Sequence, residues 1–154
     1  MKTKYHKTVL LLFFLLVTSC QSATPFPNIT APTDSEFTLA PDQTVTITDT
    51  ELTIKLIGVT DDERCPSEIE CVVSGPVSVS LSVQAGNGTP NDLNLQTFTS
   101  NNGRTPDIEF EGMKDRAVYE GYVIRVVSVL PYPAKSFNEI KDSEYRVTFV
   151  VTAE

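Results

Sequence analysis

The chain of 154 residues has no tryptophan, a single histidine and only three cysteines, and each scarcity removes a class of chemistry. The histidine is His6, in an N-terminal stretch of the kind that is cut off on export, so the exported chain is expected to have no imidazole. Ser-His-Asp hydrolysis, Cys-His nucleophiles, His-ligated zinc and most general-base schemes near neutral pH all need one. The absence of Trp weakens the case for a sugar-stacking platform. Carboxylate pairs could cut glycosidic bonds in principle, but no spacing singles out two of them. The expectation is a protein that is not an enzyme and carries no cofactor.

What is present begins with a basic start, Lys2, Lys4 and Lys7, followed by an uncharged apolar run from Val9 to Val17. The run is too short to cross a bilayer as a stable helix, and small polar residues follow it, which reads as an export signal over residues 1–19. An ordinary signal peptidase needs only small residues before its cut, so Cys20 asks for a further reason. Val17-Thr18-Ser19-Cys20 resembles the lipobox of bacterial lipoproteins, with Val in place of Leu and Thr and Ser in place of Ala and Gly. The resemblance implies a diacylglycerol thioether on Cys20, cleavage just before it, and a mature chain held on a membrane by acyl chains such as palmitate. Two or more such chains anchor stably where one does not. Gln21 is not the aspartate that retains lipoproteins at the inner membrane. The resemblance therefore implies the outer membrane in a diderm source and the outward face of the cell membrane in a monoderm one.

Removal of residues 1–19 leaves 135, enough for one domain with a buried core. Once the three leader lysines are gone, nine basic side chains remain against 20 acidic ones, a formal charge of −11. Such a surface repels nucleic acid and the anionic face of a membrane, so no nucleic-acid partner is expected. With Cys20 lipidated, Cys65 and Cys71 are left as an even pair outside the cytoplasm and are expected to be oxidised. A bridge over so short a loop stabilises by roughly 2 kcal/mol at most and serves to pin one loop. A zinc reading is poor, because Cys-x5-Cys lacks a second ligand pair.

Residues 20–35, rich in Pro, Ser and Thr, read as a lipidated cysteine and an extended tether. From Glu36 to Glu154 the apolar period is two, which predicts an all-β domain. Strands are expected at Phe37-Thr38-Leu39, at Val45 to Thr48 and Leu52 to Leu56 as a hairpin, at Val77 to Val83, at Leu93 to Phe98, around Ile108 and Phe110, over Tyr119 to Leu130, and at Tyr145 to Val151. In the long strand Tyr122, Ile124, Val126 and Leu130 are expected to share one face, with Pro131 and Pro133 ending it. Phe137 to Asp142 is expected to form a brief helical turn. About eight short strands with regular turns predict an antiparallel β-sandwich, with a small β-barrel as the other possibility.

The most unusual segment runs from Thr60 to Cys71, where Asp61, Asp62, Glu63, Glu68 and Glu70 crowd a loop closed by the expected disulfide. These five are candidate oxygen ligands for a divalent cation, but their spacing does not match an EF-hand and no glycine provides its sharp turn. Arg64 is expected to neutralise Asp61 or Asp62 as a surface pair of little worth. Pro131-Tyr132-Pro133 reads either as a recognition loop or as a strand terminator with Tyr132 folded over the sheet edge. Asp62-Glu63-Arg64-Cys65-Pro66, then Cys71-Val72-Val73-Ser74-Gly75-Pro76-Val77, resembles an Arg-Cys-Pro…Cys-Val-x-x-Gly pattern of small uncharacterised bacterial lipoproteins, with Val73-Ser74 where those often have Trp-Ala. That resemblance covers residues 37–151 in strand order and implies structural roles: Cys65 and Cys71 bridged, and Gly75 letting the backbone turn into the next strand. It brings no activity. The functional expectation is a lipid-anchored extracytoplasmic β-domain that presents loops to an envelope or protein partner. The alternatives are a cation or small-ligand binder using the Asp61–Glu70 loop, and a protease inhibitor.

Overall fold

Strict alternation of apolar and polar residues suits strands that bury one face, and two segments show it plainly: Val77, Val79, Leu81 and Val83 are buried, as are Leu52, Ile54 and Leu56. The computed structural model describes residues 26–108 and 110–154. The expected leader, Cys20 and the first part of the tether lie outside the described residues. Within them the protein is an all-β sandwich of two sheets. One sheet has the order β1 (Ile29–Ala31), β3 (Thr44–Ile47), β4 (Leu52–Asp62), β5 (Val77–Ala85) and β6 (Asn91–Thr97). The other has the order β2 (Phe37–Leu39), β9 (Arg146–Ala153), β8 (Tyr122–Leu130) and β7 (Arg116–Tyr119). The sheets remain separate, so the barrel alternative is set aside.

The core lies between the sheets. Ile54, Leu56, Leu81 and Leu95 from one side meet Leu39, Ile124, Val147, Phe149 and Val151 from the other. Each such side chain contributes about 1.5–3 kcal/mol relative to exposure. Phe37 and Phe149 stand directly opposite each other across β2 and β9, with ring centroids 6.0 Å apart.

Several sequence expectations change. Ile29–Ala31, read as part of the tether, forms a strand: it pairs in parallel with Val45–Ile47 and buries Ala31. Pro27 and Pro32 flank this edge strand and so remove no ladder hydrogen bond from its interior. Among the described residues neither Ile108 nor Phe110 lies in a strand; Phe110 instead packs edge-on against Phe98 at 5.0 Å. The expected strand from Tyr119 to Leu130 is a hairpin, β7 and β8 around Glu120-Gly121, both with positive φ. The expected turn over Phe137 to Asp142 falls later, as a 3-10 turn at Asp142–Glu144.

Two irregularities shape the end of the sandwich discussed below. β4 shifts register between Leu56 and Gly58 and again between Val59 and Asp61. Each added residue moves the following side chains to the opposite face, so two in succession restore the original phase. Val59 then faces inward opposite Val79, and Asp62 faces inward opposite Val77. β8 has one shift, between Val126 and Ser128. It turns Val129 into the core and leaves Leu130 42% exposed, contrary to the expectation that Leu130 shares a face with Val126.

Candidate functional site

Because the two shifts cancel, Asp62 keeps the inward phase of Leu52, Ile54 and Leu56, and a carboxylate sits at the core-facing end of β4, 8% exposed. A buried charge needs a partner. Arg64, two residues on and fully buried, supplies it: Nε donates to Asp62 Oδ1 at 2.7 Å and Nη2 to Oδ2 at 2.6 Å. The remaining donors cross to the other sheet. Nη1 reaches the Val129 carbonyl at 2.8 Å and Nη2 the Pro131 carbonyl at 2.9 Å. The Tyr132 ring lies over the guanidinium, 5.0 Å from centroid to Cζ. Tyr145, just before β9, donates its hydroxyl to Asp62 Oδ2 at 3.0 Å. Burial first, and then the Asp62 charge, push the Tyr145 phenol above its usual pKa, so it stays a neutral donor. The expected surface pair is therefore a buried, bidentate one that joins β4 to β8 and β9. Tyr132 takes the second of its two readings, folded inward as a lid on Arg64.

This anchor holds a loop. Glu63 N–H donates to the Pro76 carbonyl at 3.0 Å and Gly75 N–H to the Glu63 carbonyl at 2.9 Å, closing the base of residues 63–76. Gly75 is required there by approach rather than by turning: a Cβ would lie 2.7 Å from the Glu63 carbonyl oxygen. Inside the loop Cys65 and Cys71 are bridged, and Cys65 N–H donates to Ser74 Oγ at 3.0 Å. The near side is fastened to the segment after β8, with Ser67 N–H on the Pro133 carbonyl at 3.0 Å and Glu68 N–H on that of Ala134 at 2.8 Å. Glu139 tightens that segment by accepting from the N–H groups of Ala134 and Lys135, which hold its carboxyl below the usual range.

On this braced frame the outward side chains are aliphatic and acidic. Val72 is 103% exposed, Val73 78% and Ile69 41%. Asp61, Glu63, Glu68 and Glu70 are exposed, and none of the four makes an ion pair among the described residues. Beside the loop a groove of about 210 Å³ runs between the end of β4 and the segment before β9, lined by Thr60, Asp61, Asp62, Asn138, Asp142 and Tyr145 among others. Of the five candidate cation ligands, Asp62 is committed to Arg64 and Tyr145. Among the described residues no three His, Cys, Asp or Glu side chains stand close enough to share an ion.

The loop, its bridge and its acidity are legible in the sequence, and the anchor beneath them is not. One available signal was spacing: Asp62 and Arg64, two apart at a strand end, share a face. No protein-family model, curated protein or solved structure matches the chain.

Proposed function

We propose that this chain is a lipid-anchored, non-enzymatic extracytoplasmic domain that presents the 63–76 loop to a protein partner in a bacterial envelope. The observation that carries the reading is the pairing of an inner brace with an outer display. A fully buried arginine, a disulfide and a closed hydrogen-bonded base hold a loop whose most exposed large hydrophobic side chains are Val72 and Val73. Aliphatic groups fixed in water add nothing to folding, and fixing them in advance lowers the ordering cost of association. Loops on a rigid sandwich are where such contacts are made.

Anchoring rests on the lipobox at Val17–Cys20 and on the even cysteine pair that it leaves. Cys20 is six residues from Phe26, whose ring lies under Arg146. At about 3.3–3.6 Å per residue the domain can stand only roughly 20 Å from its lipid, closer than a tether running to residue 35 would allow. The cation alternative finds no ligand set among the described residues. The inhibitor alternative is not favoured, because the chain bends at Val72 and Val73 instead of offering an extended, substrate-like stretch.

Intact mass of the protein from native membranes, with a Cys20→Ala control, tests the anchor. A lipid-sized increment that disappears with Cys20 is expected. An unlipidated wild-type mass would overturn the reading.

A further inference from the structure

The loop and the chain's entry into the sandwich lie at the same end of the molecule. Arg146, which stacks on Phe26, opens β9 and pairs opposite Leu130. The next carbonyl after Leu130 is that of Pro131, which accepts from Arg64, and the residue before Arg146 is Tyr145, bonded to Asp62. The hairpin turn around Asn87, between β5 and β6, lies at the opposite end, where Ala85 pairs with Leu52 at the start of β4. If Cys20 carries the lipid, the 63–76 end faces the bilayer and the Asn87 end faces away.

The loop's charge then selects among what it can meet there. Arg64, the cation of this segment, is internal and paired, so its outer surface combines three aliphatic side chains with the carboxylates of Asp61, Glu63, Glu68 and Glu70. Lys135, Lys141 and Arg146 belong to neighbouring segments of the same end, so the single-sign charge is a property of the loop itself. An anionic bilayer surface repels such a loop. A second copy meeting it symmetrically would set carboxylate against carboxylate. A protein surface with an apolar socket rimmed by Lys and Arg satisfies both components, the aliphatic tip filling the socket and the rim supplying opposite charge.

Resting on the anchored-display reading above, we infer that the 63–76 loop docks, close to the membrane, into a basic-rimmed apolar socket on a protein of that same membrane. The test uses the full chain in its own cells with a photo-crosslinking residue placed at Val72 or, separately, at Asn87. Crosslinked peptides are mapped by mass spectrometry at low and high salt. The expected result is a Val72 adduct on a membrane protein, at apolar residues next to Lys or Arg, with none from Asn87. The adduct should fall roughly tenfold with Glu68→Lys plus Glu70→Lys, fall again in high salt, and vanish with Cys20→Ala. Adducts from Val72 to lipid or to a second copy would overturn the inference, as would a protein adduct indifferent to charge reversal and salt. Adducts from Asn87 alone would overturn it together with display of the 63–76 loop, leaving the lipid anchor intact. No protein adduct from either position would remove the display reading as well.

Discussion

Among the arginine–carboxylate pairs of the sandwich, two of nearly equal length lie in opposite settings. Arg64 meets Asp62 at 2.6 Å with both side chains almost wholly out of water, and Arg104 meets Glu36 at 2.8 Å with each about half exposed. Distance alone would rank them together. Water separates them: at Arg104 it screens the attraction and solvates either partner when the other is lost, whereas at Arg64 it can do neither. The buried pair also uses two carbonyls of the opposite sheet, so its loss would unfasten the loop as well as strand a charge.

The largest expected effect is therefore at Arg64. Arg64→Met should cost about 3–5 kcal/mol in urea unfolding, because Asp62 is left buried without its partner and the Val129 and Pro131 carbonyls lose their donors. Pairing it with Asp62→Leu should recover part of that loss, since the unpaired carboxyl is removed too. A single mutant no less stable than wild type would mean that the end of the sandwich admits water freely, and the contrast between the two pairs would collapse.

Tyr145→Phe comes next, at about 2 kcal/mol, for the loss of a buried hydrogen bond to a charged acceptor. Its pH dependence has a definite sign. The folded chain holds the phenol protonated above its ordinary pKa of 10.0, so the stabilisation is fully present below pH 10 and is lost as pH rises through the higher folded value. The stability difference between wild type and Tyr145→Phe should therefore shrink above pH 10, and a constant gap would mean that the phenol ionises equally in both states. Reduction of Cys65–Cys71 should cost roughly 2 kcal/mol at most, since the loop it closes is short. Faster hydrogen exchange is expected to be largest in residues 63–76, with β5 and β8 accelerated by no more than the global loss of stability.

The parts of the fold that were legible were those with unbroken alternation. Leu52 to Leu56 and Val77 to Val83 announce a face at every second residue, and the structure keeps it. Leu130 was misplaced because a register shift leaves no mark in composition: Val126-Val127-Ser128-Val129 can be threaded in either phase until the partner strand is known. β1 was hidden because three residues between prolines carry too little pattern to outweigh a linker's composition. At the site, the disulfide followed from cysteine parity outside the cytoplasm, yet Arg64 was assigned to the surface because charged side chains almost always belong there. Asp62 keeps the inward phase of Leu52, Ile54 and Leu56 because the two shifts in β4 cancel, and that is decided by pairing with β5, not by composition.

The exposed pair gives the smallest expected effect and the sharpest control. Arg104's hydrogen bond and charge hold the Glu36 carboxyl below its usual pKa, so whatever the pair contributes is present above the ordinary carboxylate range and fades as pH falls through the lowered value. Both side chains stand in solvent, and Arg104→Gln should leave the urea midpoint at neutral pH unmoved within the scatter of the measurement. Raising NaCl should erase any residual difference between Arg104→Gln and wild type while leaving the Arg64→Met deficit in place, because salt reaches the first pair and not the second. An Arg104→Gln deficit that matched Arg64→Met and persisted in high salt would show that hydrogen-bond geometry, and not exclusion of water, decides what an ion pair contributes to this sandwich.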